Sequence, residues 1–281
     1  MATRQQKLAS LQLAKKIKLE NKFKPKLTRF FRQLGKDINV VWATTGNIPN
    51  LKPFEPELVF LLREHYRDVA KLFSGEVRAE IKHFNLQLET KQISETVDSD
   101  IMQYIMSHSI ENAGIILATT QKELQTIVAG VLVNSALQDI PLTNLQIGNQ
   151  IKENFINKTG KRVETIAITE TNTTAERIKY IEANAFQSVI NESPSPAKLV
   201  DTWNTTLDER TRASHVAADR QEVTHGRPFT VQGQLLRFPG DTALGASLDN
   251  VINCRCSAIT SISGVDAPIA TIPAIPIIRL N

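Results

Sequence analysis

The hydrophobic spacing of this chain changes character at Ser193-Pro194-Ser195-Pro196, and that change constrains the fold more than any other feature. Before it, apolar residues recur at helical intervals. Leu27, Phe30, Phe31 and Leu34 stand at i, i+3, i+4 and i+7, and Leu58, Leu62, Val69 and Phe73 form a second stripe with His65 on or beside it. That histidine reads as a packed core residue, since no other ligand type neighbours it. Leu124, Ile127, Val128, Val131 and Leu132 make a third stripe, and Ile178, Ile181, Ala185 and Val189 a fourth. Beyond the break the apolar pieces are short. Lys198 to Trp203 reads as a strand, Phe229 to Phe238 as a hairpin turning around Gln232-Gly233-Gln234, and Val251 to Ile259 as a third extended piece. The expected class is α+β, with a mainly helical N-terminal region and a small mixed C-terminal domain.

Finer divisions follow from the punctuation. The first amphipathic helix is entered near Pro25, and Trp42 to Pro56, with Gly46, Pro49 and Pro53 inside it, reads as a connecting loop. Asp98 and Asp100 are placed to cap a helix beginning at Ile101, and a further helix over 142–157 is expected to end at Thr159-Gly160-Lys161. The helical and mixed regions should meet between 160 and 197. Four segments result: a basic helical arm over 1–36, a helical region over 37–162, a small domain over 163–262, and an extended apolar tail over 263–281, punctuated by Pro268, Pro273 and Pro276.

Charge is distributed unevenly. Residues 1–36 carry eleven Lys or Arg against one acid, so this segment holds +10 of a chain whose net charge is +4, and the remainder is −6. Lys15, Lys16, Lys18, Lys22, Lys24, Lys26, Arg29 and Arg32 are the candidate phosphate contacts of a double-stranded DNA site. A solvated helix end, or an arm resting on an acidic partner, gives the same composition. No apolar run of about eighteen residues is present to span a bilayer, and the polar N-terminus lacks the apolar core of a signal peptide, so a cytoplasmic start and no membrane partner are expected.

The residues with chemistry cluster after the break. Both cysteines, Cys254 and Cys256, are separated by one residue, which makes a poor disulfide, and a reduced pair is expected. On a strand both thiols would face one side. If a helix starts at Asp208, then Arg212 at i+4 and His215 at i+7 share its face. Two thiols, an imidazole and a carboxylate form a tetrahedral zinc donor set: His215, Cys254, Cys256 and Asp208. Alternatively Asp208 is only a helix cap, His215 bonds a carbonyl, and the cysteines are small buried hydrophobes. A thiol- or metal-dependent hydrolase or nuclease could use the same cluster. However, no glycine-rich turn presents either thiol, and alternate strand residues seldom form an oxyanion hole.

The order Trp203, Asp208-x-Arg210-Thr211-Arg212-x-x-His215, Pro228-Phe229, Pro239-Gly240-Asp241, Asn253-Cys254-Arg255-Cys256 resembles the C-terminal signature of the phage Mu protein F-like family of head morphogenesis, or minor head, proteins. The resemblance covers residues 198 to 260. Upstream, Ala167-Ile168-Thr169-Glu170-Thr171 and Ala183-Asn184-Ala185 look like the family's preceding helix, with Ile168 where an arginine is usual, and Thr119-Thr120 before Leu124 is similar to its helical region. The resemblance implies a structural, non-enzymatic virion component of a tailed bacteriophage, made in the host cytoplasm. It would sit in several copies or as an oligomer at the portal or head interior, with portal and capsid proteins, and in some relatives DNA, as partners. Trp203, Arg210, Arg212, Pro239, Gly240, Asp241 and Asn253 would be its structural motif residues.

Overall fold

The computed structural model describes residues 3–83, 90–192 and 197–264, and the fold is α+β as its hydrophobic spacing implies. Five helices come first: α1 (Arg4–Thr45), α2 (Glu55–Phe73), α3 (Glu76–His83), α4 (Thr90–Ala136) and α5 (Asn144–Glu192). A small lobe follows, made of β1 (Lys198–Asn204), α6 (Ala213–Ala217), β2 (Glu222–Thr224), β3 (Phe229–Val231), β4 (Gln234–Leu236) and β5 (Ser257–Ser263). The change from helix to strand lies between Glu192 and Lys198, and α5 runs unbroken through the division expected at 162/163 between the helical region and the small domain.

Three expected helix boundaries do not exist. Thr3 caps α1 through a capping box with Gln6, and the helix runs through Pro25 to a left-handed Gly46. An interior proline costs about 3 kcal/mol. Leu19 and Phe23 before it and Leu27, Phe30 and Phe31 after it are all buried, so packing on both sides holds the helix through the proline. The loop expected from Trp42 accordingly begins only at Gly46. Asp98 and Asp100 lie inside α4, because Ile93, Val97, Ile101 and Ile105 form one unbroken buried column. Gly160 does not end α5, where the buried run Phe155, Thr159, Val163, Ile166 and Ala167 outweighs the roughly 1 kcal/mol that a helical glycine costs.

The lobe's sheet is antiparallel in the order β2-β1-β5, with β1 and β5 registered from Lys198 opposite Ser263 to Asn204 opposite Ser257. β3 and β4 form the expected hairpin. Gln232 and Gly233 at its tip both have positive φ, 52° and 72°, as a two-residue primed turn requires. The extended piece expected over 251–259 is only partly strand: β5 begins at Ser257, and both cysteines precede it. The extended tail expected over 263–281 lies almost wholly outside the described residues.

The segment 1–36 is no separate arm. α1 lies along α5 over much of its length and also touches β1 and β5. A large apolar core joins the long helices, whereas the lobe has a second core around Trp203, Phe229 and Leu236 that includes both cysteines.

Candidate metal centre

His215 sits in the middle of α6, whose five residues start at Ala213 after Arg212 as N-cap. Asp208 therefore does not begin that helix. It opens a separate turn, where its Oδ1 accepts from the Arg210 N–H at 3.1 Å and the Thr211 hydroxyl at 2.9 Å, while its Oδ2 stands 3.5 Å from the Arg210 guanidinium. These bonds hold the Asp208 carboxyl below the usual carboxylate range against the opposing effect of its slight burial. Arg212 reaches across to donate to the Ile252 carbonyl at 2.5 Å, which ties α6 to the turn before the cysteines.

The cysteine segment is clamped residue by residue. Asn253 has a left-handed φ of 58°, and its N–H donates to Thr169 Oγ1 on α5 at 3.0 Å. Arg255 forks onto Glu20 of α1 at 3.1 and 2.6 Å. Lys16 is fully buried, and its three N–H donors are shared among four acceptors, the Cys256 carbonyl at 3.1 Å, Ser257 Oγ at 2.8 Å, Asn172 Oδ1 at 2.7 Å and Glu176 Oε1 at 2.7 Å. Lys179 also meets Glu176 at 2.8 Å, and the Ala258 N–H donates to that carboxylate at 2.9 Å. Burial raises the Glu176 carboxyl's pKa, yet the two ammonium groups outweigh it and leave it below its ordinary value.

Held this way, the two thiols meet the imidazole. His215 Nδ1 lies 3.3 Å from Cys256 Sγ and 3.6 Å from Cys254 Sγ, and all three ligand atoms fall within 4.8 Å of one another. Donors sharing a tetrahedral zinc at ordinary bond lengths stand about 3.5 Å apart for a nitrogen and a sulfur. The cluster can therefore hold a metal ion, and among the described residues it is the one such group. Asp208 is not part of it, because its carboxylate closes its own turn instead. Each of the three residues is 2% exposed. The neighbouring Cys256 thiol, aided by the imidazole, holds the Cys254 thiol well below its ordinary range despite burial. The Cys254 thiol together with burial pushes Cys256 well above it. Trp203 stands edge-on to both His215 and Phe229, at centroid distances of 5.7 and 5.3 Å. Beside the cluster opens a cavity of ≈ 460 Å³ lined by these three residues and by Lys161, Glu164, Asp208, Arg210, Arg212 and Arg255.

Pro239-Gly240-Asp241 docks the hairpin side of the lobe on α5. Gly240 has φ +96°, and a Cβ there would come within 2.7 Å of Thr173 Oγ1. Asp241 accepts two bonds of 2.8 Å from the Arg237 guanidinium and two more from the backbone of Arg237 and Ala243.

The candidate DNA residues divide. Lys16 is buried and cannot touch a phosphate. Lys15 pairs with Glu76, Lys22 with Asp68 at 2.8 Å, Lys24 with Glu164 at 3.9 Å and Lys26 with Glu64 at 3.8 Å. Lys18, Arg29 and Arg32 are exposed and make no ion pair among the described residues; with Lys22 and Lys36 they fall in one outward column of α1.

Two polar clusters had no recognised sequence signal. Lys16 lies three and seven residues before Leu19 and Phe23, so its place on the apolar stripe was the available clue. The other joins His225 Nδ1 to Asp201 Oδ2 at 2.7 Å and its Nε2 to Asn184 Oδ1 at 3.1 Å, residues too far apart in sequence for any spacing to reveal. No helix among the described residues is long and apolar enough to cross a membrane. Comparison of the chain with protein-family models, with curated proteins and with solved structures finds no match.

Proposed function

We propose that this chain is a structural minor head protein of a tailed bacteriophage, acting at the portal or head interior, with a structural Zn²⁺ held by His215, Cys254 and Cys256. The observation that carries the reading is convergence. Trp203, Arg212, His215, Gly240, Asn253, Cys254 and Cys256, scattered over fifty residues of signature, meet in one lobe and fasten it to α1 and α5. A borderline-soft dication suits two thiolates and an imidazole, and a lobe with so small an apolar core gains stability from a metal staple. The outward column Lys18, Lys22, Arg29, Arg32 and Lys36 supplies a stripe that can lie along a DNA backbone. Partners in this reading are portal and capsid subunits, with the protein present in several copies per particle.

Mass spectrometry of purified virions is the deciding experiment: peptides of this chain are expected at a few copies relative to the major capsid protein, and their absence from particles refutes the assignment. Elemental analysis of the full chain, purified without chelators, should return one zinc per molecule, and Cys254→Ser should abolish it. A hydrolase or nuclease built on the cluster predicts a different outcome for Cys254→Ala, namely lost turnover in a protein that unfolds at the wild-type temperature. With the thiols buried, the expected result is lost thermal stability.

A further inference from the structure

We propose that a metal ion held by His215, Cys254 and Cys256 keeps its fourth coordination position open to the adjoining cavity, and that a carboxylate is the ligand that takes it. This rests on the metal-centre reading above and extends it by one ligand. A purely structural zinc is closed by four protein donors, whereas three donors leave a position for water or an incoming group. Here the described residues offer three. Asp208 is turned onto Thr211 and Arg210, and Glu176 is engaged by Lys16, Lys179 and the Ala258 N–H.

All three donors lie on the wall of the ≈ 460 Å³ cavity, a volume that admits a side chain or small molecule but no folded surface. The rest of the wall selects the sign of the ligand. Lys161, Arg210, Arg212 and Arg255 face Glu164 and Asp208, an excess of positive charge. Arg255 is engaged by Glu20 and Arg210 by Asp208, whereas Arg212 is bonded to a carbonyl and Lys161 has no carboxylate partner among the described residues. An imidazole, two thiolates and a dication sum to zero charge, so an anion in the fourth position meets no repulsion from the centre and attraction from the wall. A backbone phosphodiester carries sugars on both sides and cannot reach donors on residues 2% exposed, but a carboxylate ends its chain and can. In the exchange a metal-bound water leaves as the carboxylate oxygen arrives, and no thiolate bond breaks.

Cobalt(II) loaded into the full chain in chloride-free buffer reports this directly, because its visible bands follow the ligand set. One cobalt per chain is expected, with bands that shift saturably on titration with acetate. A short peptide bearing one aspartate should also shift them, and the same peptide with asparagine should not. A response to the peptide at lower concentration than to acetate assigns the carboxylate to a partner protein; equal responses assign it to a small molecule. Lys161→Gln, on the exposed side of α5 and outside the clamps that hold the cysteine segment, should weaken the acetate response by roughly tenfold, the loss of a charge-assisted hydrogen bond, at unchanged cobalt content. Bands that ignore both ligands at full cobalt occupancy overturn the open position while leaving the metal centre standing. So does a response that appears only in Asp208→Asn, which would make Asp208 the closing ligand. Failure to bind cobalt or zinc at all instead removes the metal centre on which the proposal rests.

Discussion

The helical body and the small lobe are stabilised in opposite ways. Along α1, α2, α4 and α5 the buried apolar columns run for many turns, so no single side chain is decisive, and the helices continue through Pro25 and Gly160. The lobe's own core comprises nine described residues, two of them the cysteines, and its remaining order comes from specific polar clamps. Distributed burial tolerates local faults; a small core held by clamps does not. Substitutions at the clamps should therefore cost more than comparable substitutions on the helices.

The largest effect is expected where the two regions are joined. Lys16→Met removes a buried ammonium and leaves Glu176 short of one partner, at a cost of about 3–5 kcal/mol in urea unfolding. Lys18→Met, two residues on and exposed on the opposite face of α1, should stay within about 0.5 kcal/mol. If the two variants unfold at similar urea concentrations, the Lys16 cluster does not join the regions energetically. Next comes the metal. Trp42 lies in the body core and Trp203 in the lobe core, so Trp42→Phe leaves a fluorophore that reports on the lobe alone. Free zinc at 100 times its Kd should stabilise that signal by about 2.7 kcal/mol, and a chelator should remove the gain. The complementary Trp203→Phe protein should show little change in its Trp42 transition. A joint shift of both signals would mean that the regions unfold as one unit.

Glycines sharpen the contrast further. Gly240→Ala sets a side chain at φ +96° against Thr173 and should destabilise by about 2 kcal/mol. Gly114→Ala in the middle of α4, where an added methyl meets nothing within 4 Å, should stabilise by about 0.5–1 kcal/mol. Thermal unfolding of the pair tests both signs at once.

How legible each region was in sequence follows the same division. Periodicity found a buried stripe on each of the four long helices, although Leu132 of the α4 stripe is exposed and Ala185 and Val189 of the α5 stripe are only partly buried, and it misplaced ends, because the packing that carries α4 past Asp98 and α5 past Gly160 comes from neighbouring helices. In the lobe, strand β1 and the Gln232-Gly233 turn were local and readable. The meeting of His215 with Cys254 and Cys256 was anticipated on the wrong geometry, a strand pair of thiols and a helix from Asp208. What brings them together is Lys16, Glu20 and Thr169, contacts made by α1 and α5 from as far as 240 residues away. The basic composition of 1–36 was correct as a sum and misleading as a map: Lys16 belongs to the interior, while Lys18, Arg29 and Arg32 remain outside.

The last effect concerns acid. His65 is buried on α2, stacked on Phe23 at 4.0 Å and bonded to Thr171 Oγ1 at 2.9 Å, and burial lowers its pKa to about 3. An unfolded histidine titrates near 6.5, so between about pH 6.5 and 3 the unfolded chain binds a proton that the folded chain refuses. Stability from this residue is thus complete above pH 6.5 and declines by about 1.4 kcal/mol per unit as pH falls toward 3. Replacing His65 with Phe keeps the stack on Phe23 and abolishes the titration, though it leaves the Thr171 hydroxyl, which also donates to the Ala167 carbonyl, without its second partner. The variant should be less stable than wild type at pH 8 and lose less stability between pH 6.5 and 4.5. Parallel urea curves for the two proteins across that range would show that His65 protonates freely in the folded state, and the body core would then be more open to water at α2 than its burial implies.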